Sequence, residues 1–312
     1  MRDYKDLFYQ SSGAFGPIGT LMMLVFGAAA AATVGAVYGA LTYWIPFVYL
    51  NFFGTIGLGL AAGGAVYLGA VFGKVRNTTV SGLGGVVAGL AALWGAWVVW
   101  IYVVTADADT GVILLSPASI WRAMGVIGAH GVWSIGRSSS TPVSGTTLYV
   151  VWVIEALIVL GVSAFISHVF MVRKPFCERC NSWVNRKNSL PKLSPPEDAS
   201  TLDGLDDGDI SGILTLEGNP MGSMHLQVDL QACRTCDEMH LMSISAVVES
   251  RNDKGEKETS TSCLLKNMRL SAADYQALLA FKGAAPASPP VPAPAPTPAA
   301  AVDPQSPPGP EA

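Results

Sequence analysis

The sequence predicts an α-helical transmembrane bundle of four spans, then a small metal-stabilised β domain and a disordered Pro/Ala-rich tail. Three observations support this fold class. Half of the 312 residues are hydrophobic and only 13% are charged, about half the share in soluble proteins. No Asp, Glu, Lys or Arg occurs between Asp6 and Lys74. Two cysteine pairs of the form C-x-x-C follow the last long apolar stretch.

Four apolar segments are each long enough to cross a bilayer as a helix, which takes roughly 20 residues. We place the spans at about 18–44, 52–72, 80–104 and 147–172. The first segment is too long for a cleaved signal peptide and runs directly into the second. Residues 1–172 therefore form the predicted four-helix transmembrane domain, with an outer loop at 105–146.

The distribution of basic residues predicts that both termini are cytoplasmic, because Lys and Arg cluster in cytoplasmic loops. The connection between spans one and two has no charge, and the two arginines of the 105–146 loop are offset by two aspartates. The basic residues on the predicted cytoplasmic side are Arg2, Lys5, Lys74, Arg76, Arg173 and Lys174.

Small residues recur at every fourth position in three spans. Such rows let helix backbones approach closely where lipid removes the hydrophobic effect. They indicate tight packing within one bundle, or alternatively a homo-oligomer interface or a pore lining. The rows are Gly27, Ala31, Gly35 and Gly39; Gly57, Ala61, Ala65, Gly69 and Gly73; and Gly85 with Gly89.

The 105–146 loop contains a predicted amphipathic helix. Ser116 and Pro117 form a typical helix start, and Ile120, Trp121, Met124 and Ile127 then follow at helical spacing. We expect this helix to lie on the outer surface of the bundle as a cap.

Glu155 is the only acidic residue inside a predicted span. A carboxylate there costs about 2.5–3.5 kcal/mol to insert, so it should face protein or water. One interpretation is a proton or cation site. The other is a structural group, hydrogen-bonded to a Tyr, Asn or Trp or paired with Arg122 or Arg137.

The two cysteine pairs, Cys177 with Cys180 and Cys233 with Cys236, predict a tetrahedral Cys₄ zinc site. Each C-x-x-C turn offers two thiolates, and four thiolates complete the shell of a structural zinc ion. All five cysteines lie after residue 172, on the predicted cytoplasmic side, where metal binding or redox chemistry is more common than disulfides. Cys263 lies on a predicted strand, and we expect it to be a small buried residue outside the site.

Residues 173–282 alternate in polarity as short strands do. The pattern predicts strands at 224–231, 240–249 and 259–270, a turn at 252–256, and a short helix capped by Ser271. Residues 190–209 are rich in Pro, Ser, Asp and Gly and predict a surface loop. From residue 283 to 312 the chain is mostly Ala, Pro, Ser and Val, which is typical of a disordered tail.

The C-x-x-C turns, the second at the end of a strand, resemble those of the zinc-ribbon family. This resemblance covers about a third of the chain and implies zinc binding at Cys177, Cys180, Cys233 and Cys236 in a zinc-ribbon-like cytoplasmic domain. The 52 residues between the pairs exceed the compact family spacing. The whole arrangement is also similar to bacterial four-span membrane proteins with such a tail, which implies an inner-membrane location and no particular mechanism.

These observations favour a membrane protein that displays a zinc-stabilised module to a cytoplasmic protein partner, as a scaffold, an accessory subunit or a sensor. An alternative is a transporter or channel component for ions or small solutes that uses Glu155. A second alternative is a membrane thiol-disulfide oxidoreductase. No H-E-x-x-H, G-x-S-x-G or phosphate-binding glycine motif occurs, and the net charge of −4 without a basic run argues against nucleic acid as a partner.

Overall fold

The computed structural model describes residues 7–44, 48–105, 116–131, 143–219, 222–236, 238–252 and 256–283. The predicted tail at 283–312 lies outside these residues apart from Gly283, as do Arg137 and the central residues of the turn predicted at 252–256.

Four helices of the described chain are long and apolar enough to cross a membrane, as the sequence predicts. Their outer faces carry large apolar side chains; Ile18 and Phe53, for example, are 75% and 68% exposed. Such a surface suits contact with lipid rather than water. The four helices are α1 (Pro17–Trp44), α2 (Val48–Phe72), α3 (Thr78–Thr105) and α5 (Thr146–Val172); we call them the bundle.

Glycine and alanine allow the bundle helices to pack closely. Helix α1 packs along α2 and α3, and α5 packs along the same two helices. Gly35 and Gly39 of α1 are buried, and a methyl group at either would overlap a backbone carbonyl of α3, at Ala92 or Ala96. Most of the small-residue rows are thus used inside one bundle.

Buried serines link α3 to α5. The hydroxyl of Ser163 donates to the carbonyl of Gly85 at 2.8 Å. Ser81 and Ser167 each donate to the other's carbonyl oxygen, at 3.2 and 3.0 Å. Because lipid offers no competing hydrogen bonds, such pairs hold neighbouring helices in register.

The predicted outer helix is present as α4 (Pro117–His130). Ile120 is buried and packs with Ile101 of α3, while Met124 and Ile127 lie partly buried beside them. Trp121 does not share this contact and is 75% exposed. One helical step of about 100° after Ile120 turns Trp121 away from α3.

The β domain, residues 173–283, contains a two-stranded and a four-stranded antiparallel sheet. The small sheet pairs β1 (Phe176–Cys177) with β2 (Ser182–Trp183). The large sheet has the strand order β3-β4-β5-β6, with β3 at Arg186–Ser189, β4 at Met224–Ala232, β5 at His240–Arg251 and β6 at Lys257–Leu270. The three predicted strands are confirmed. Helix α7 (Ala272–Ala280) follows, capped by the Ser271 hydroxyl as predicted, which accepts the N–H of Asp274 at 3.1 Å.

The segment predicted as a surface loop is part of the β-domain core. It contains a 3₁₀ helix at Ala199–Asp207, and the short helix α6 (Ser211–Leu214) follows. Leu193 and Leu205 are buried within the predicted loop, and Ile213 is fully buried just after it. The sparse leucines of a Pro- and Asp-rich stretch show no period of their own. These leucines are buried because they contact apolar side chains on one face of the sheet.

The N-terminal segment 7–16 joins the β domain to the bundle. Phe8 forms an antiparallel bridge with β6, and the N–H of Tyr9 donates to the carbonyl of Asn267 at 2.9 Å. The hydroxyl of Tyr9 in turn accepts the N–H of Phe176 at 3.0 Å. Helix α1 begins directly after this segment, so the start of α1 lies beside the β domain.

Arg76, in the turn between α2 and α3, makes a second connection. Its N–H donates to the carbonyl of Ala14 at 2.9 Å, and its Nε lies 3.0 Å from the Glu178 carboxylate. Its guanidinium stacks 4.4 Å from the centre of the Phe176 ring. The N-terminal segment, this turn and the β domain therefore lie at one end of the bundle, which we call the domain end.

Candidate metal centre

The four predicted cysteines converge at one point near the domain end of the bundle. The Sγ atoms of Cys177, Cys180, Cys233 and Cys236 all lie within 4.8 Å of one another. Those of Cys177 and Cys236 are 3.6 Å apart. Four thiolates at ~2.3 Å from a tetrahedral ion lie about 3.8 Å from one another. The cluster is therefore close enough to hold a metal ion, and its donor set suits a soft thiolate site.

Local backbone geometry places the two thiols of each pair on the same side of a turn. Cys177 ends β1, and Asn181, just after Cys180, has a left-handed φ of 47°. Asn tolerates this region better than most residues. Cys233 directly follows β4, and its N–H donates to the carbonyl of Met239 at 3.1 Å, which closes the second turn.

Backbone amides favour the thiolate form of one member of the cluster, Cys233. Burial alone would raise the pKa of Cys233, because it disfavours the charged thiolate. The backbone N–H groups of Thr235 and Cys236 donate to its sulfur and outweigh this effect, so the pKa is lowered to about 6. A hydrogen bond with the Cys236 thiol instead raises the pKa of Cys180 to about 12. Four like-charged thiolates at this spacing need a cation among them.

Cys263 and two buried histidines of the sheet lie outside the cluster. Cys263 is on β6 as predicted, but it is exposed, because the first eight residues of β6 project beyond the core. The expectation that it is buried is wrong. His225 and His240 are buried strand residues, and His240 stacks on Tyr275 with ring centres 4.2 Å apart.

Trp183 connects the centre to the bundle. It lies three residues after Cys180, and its Nε1 donates to the carbonyl of Val71 in α2 at 2.8 Å. Its ring meets that of Phe176 edge-on, with centres 4.8 Å apart. The sequence indicates that Trp183 packs beside the first cysteine pair, but nothing in it identifies the helix that Trp183 contacts.

Glu155 lies in the half of the bundle away from the cysteines, 17 residues or about 26 Å of helix before Val172 at the end of α5. The hydroxyl of Tyr38 donates to its Oε1 at 2.9 Å, and the Thr55 side chain also bonds to the carboxylate. Arg122 forms no ion pair with it among the described residues. Glu155 lines a cavity of about 600 Å³, which we call the distal cavity.

Fold and site together define a class of protein: four helices that could cross a membrane, joined to an antiparallel β domain with a Cys₄ cluster that could bind a metal ion. Comparison with family models, curated proteins and solved structures finds no match for this chain. The interpretation of both sites therefore depends on their own geometry and chemistry.

Residues 7–16 contribute to the site region without any signal in the sequence. The Ser12 hydroxyl, for example, donates to Glu178 between the first two cysteines at 2.5 Å. A short polar segment before an apolar span has no periodicity that would predict such a contact.

Proposed function

We propose that this chain is a multi-pass protein of the bacterial inner membrane that displays a zinc-stabilised, zinc-ribbon-like domain to a cytoplasmic protein partner. The single observation that carries the proposal is the convergence of four thiols from two distant C-x-x-C turns. A scaffold, an accessory subunit and a sensor would all use such a module.

Zinc is the ion that best suits this cluster. Four cysteine ligands leave no open position for substrate, which is typical of structural zinc sites. The 52 residues between the two pairs include strands β3 and β4 of the large sheet and a segment that packs on that sheet. An ion that holds both pairs therefore stabilises the closed form of the whole β domain, since the free energy of zinc binding contributes directly to folding.

Replacing single cysteines in the full-length protein tests the zinc site. We expect one zinc per purified chain, and loss of zinc with unfolding of the β domain in C177S, C180S, C233S or C236S. Structural zinc contributes on the order of 10 kcal/mol to small domains. The measurements are metal content by mass spectrometry and amide exchange of β4 and β5.

C263S is the matched control, because it removes a thiol from the same domain but outside the cluster. It should keep its zinc and its exchange protection. A wild-type protein without zinc, or equal zinc loss in all five variants, would contradict the proposal.

The free edge of β6 is the surface that we assign to the partner. Strand β6 lies at the edge of the sheet, and residues 257–264 are all exposed. Segment 7–16 pairs with β6 only near Asn267 and Met268 among the described residues. Exposed edge strands accept extended segments of other proteins through backbone hydrogen bonds. We propose that the cytoplasmic partner binds here as an added strand.

Photocrosslinking in cells tests this surface. A benzoylphenylalanine at Ser262 or Leu264 should give one adduct of defined mass with a cytoplasmic protein. The control position is Asp206, which is exposed on the 3₁₀ helix Ala199–Asp207 and not on β6. Adducts of equal yield at all three positions, or none at β6, would exclude the β6 edge as the contact.

The two alternative functions differ in their support. A thiol-disulfide oxidoreductase would use the pairs as separate dithiols, whereas here the four sulfurs form one cluster. A transport or channel function has a specific observation in its favour, which is the distal cavity around Glu155.

Homo-oligomers could form through the Gly57 and Ala61 face of α2, which is exposed.

A further inference from the structure

The distal cavity combines one carboxylate with several aromatic rings inside the bundle. Glu155 lies nine residues into α5, about 14 Å along the helix from its start. Charged groups at such positions in membrane proteins commonly mark a ligand or ion site. The zinc centre and its proposed partner surface lie at the other end of the bundle and do not use this carboxylate.

Three tryptophans line the cavity beside Glu155. The rings of Trp97 and Trp152 lie 4.9 Å apart at 89°, and those of Trp97 and Trp100 lie 5.9 Å apart at 77°. All three are partly buried, unlike Trp44 and Trp121, which are each 75% exposed. Rings held near right angles present faces in several directions, and an aromatic face attracts a cation.

Hydroxyl groups hold the Glu155 carboxylate in place. Among the residues that the structure describes, no basic side chain pairs with it. Tyr38 and Thr55 bond to it, and Tyr38 also bonds to Thr55 at 3.0 Å. Among the described lining residues, Glu155 alone is acidic and none is basic. Hydroxyl donors orient the group, so a positively charged ligand would meet a preorganised partner.

The lining favours an organic cation over a metal ion. Hard metal cations need about six oxygen ligands at short range, whereas most of this wall is aromatic or aliphatic. A volume of about 600 Å³ is typical of sites for small organic molecules. A carboxylate combined with tryptophan faces is the chemistry that recognises alkylammonium groups.

We propose that the distal cavity binds an alkylammonium group, with Glu155 as its counter-ion and Trp97, Trp100 and Trp152 against its methyl or methylene groups. The group could belong to a free amine or to the headgroup of an aminophospholipid. Binding is independent of the zinc centre and of whether the ligand is transported.

The test compares a cation with its neutral isostere on the full-length protein. The protein is placed in phosphatidylglycerol nanodiscs, which contain no ammonium lipid, and empty nanodiscs are subtracted. Choline, benzyltrimethylammonium and the neutral 3,3-dimethylbutan-1-ol are titrated by saturation-transfer NMR. We expect at least one of the two ammonium probes to bind and the alcohol to bind at least about tenfold more weakly.

Substitutions assign the binding to the cavity. Glu155→Gln keeps the acceptor for Tyr38 and should weaken ammonium binding about tenfold or more, while Glu256→Gln, an exposed acid of the β domain, should change nothing. Trp97→Leu leaves the carboxylate intact and should weaken binding roughly fivefold. Thermal unfolding in detergent like that of the wild type shows that the bundle of each variant is folded.

Native mass spectrometry separates the two sources of the group. Preferential retention of phosphatidylethanolamine over phosphatidylglycerol by wild type, lost in Glu155→Gln, indicates a lipid headgroup. Ammonium binding without such retention indicates a free amine, and both outcomes support the proposal. It is overturned if neither ammonium probe binds, if the alcohol binds equally well, if Glu155→Gln binds like wild type, or if sodium competes at equal concentration.

Discussion

Trp183 couples the cysteine cluster directly to the bundle. It follows the first cysteine pair by three residues, yet its indole reaches the carbonyl of Val71 near the end of α2. Lys174 also lies 5.2 Å above its ring centre. Trp183 therefore helps to fix the orientation of the β domain, together with segment 7–16 and Arg76.

We expect Trp183→Phe to loosen the junction without loss of the metal. The ring contact with Phe176 is kept, but the hydrogen bond to Val71 is lost, at a cost of about 1 kcal/mol. Amide exchange in 173–185 and in the 73–77 turn should accelerate, while metal content stays at the wild-type value. Trp121→Phe is the control, since Trp121 is exposed; equal effects of the two variants would argue against a coupling role.

Helix packing in the bundle is set by where glycine occurs. Gly35 faces Ala92 so closely that a methyl group would overlap its carbonyl oxygen, whereas nothing lies within 4 Å of a methyl group at Gly57. Both are glycines in the middle of apolar helices, so helix propensity favours alanine equally at the two positions. Only the neighbouring helix distinguishes them.

Gly35→Ala should therefore destabilise the protein, and Gly57→Ala should not. Overpacking of a tight contact costs about 1–3 kcal/mol, while alanine at an open helical position is neutral or slightly favourable. Thermal unfolding in detergent measures both. A Gly35→Ala protein that is as stable as Gly57→Ala would show that α1 and α3 do not pack as described.

Residues 190–214, which we call the insert, lie between the cysteine pairs and show how an irregular segment can complete a core. Leu193, Leu205 and Ile213 are buried against the sheet, and Lys192 pairs with Glu249 of β5 at 2.6 Å. This lysine lowers the pKa of Glu249 below its ordinary value. Much of the long spacing between the pairs is thus a folded cover over the sheet, and the rest includes strands β3 and β4.

The arrangement of the complete chain makes the orientation in the membrane testable. Segment 7–16, the turn at 73–77 and the β domain lie at one end of the bundle. Ser116 lies directly before α4, which packs near Ile101 at the far end of α3. These two ends should face opposite sides of the bilayer.

We expect the exposed Cys263 to react with a membrane-impermeant maleimide in inside-out vesicles and not in intact spheroplasts. Ser116→Cys, made in C263S, should show the reverse pattern, because the positive-inside rule places the domain end in the cytoplasm. Cysteines in a metal centre should be protected in both preparations. Labelling of Cys263 in spheroplasts would invert the proposed topology.

Much of the architecture could be predicted because it depends on local patterns. The four spans follow from uninterrupted apolar length, and the strands β4 to β6 follow from alternating polarity along the chain. The Cys₄ cluster follows from ligand chemistry, since two C-x-x-C turns supply one tetrahedral shell. Each of these features can be recognised from residues that are close in sequence or from the chemistry of a single type of side chain.

Other features required contacts between residues far apart in sequence. The insert joins the core because its leucines meet the sheet, and Cys263 is exposed because its end of the β5–β6 hairpin extends past that core. The partners of Glu155 are Tyr38 and Thr55, which come from two other helices. Burial and pairing of this kind depend on the surroundings of each residue.

The amino-acid sequence by itself determined the classes of structure in this protein: apolar helices, an alternating sheet and a set of four thiols. Their type follows from hydrophobic period and ligand chemistry, which are properties of the chain. The tertiary structure alone decided that segment 7–16, Arg76 and Trp183 join the two halves, and that Glu155 lies among tryptophans in a cavity. Such placements arise from packing between distant elements, for which a linear pattern has no signal.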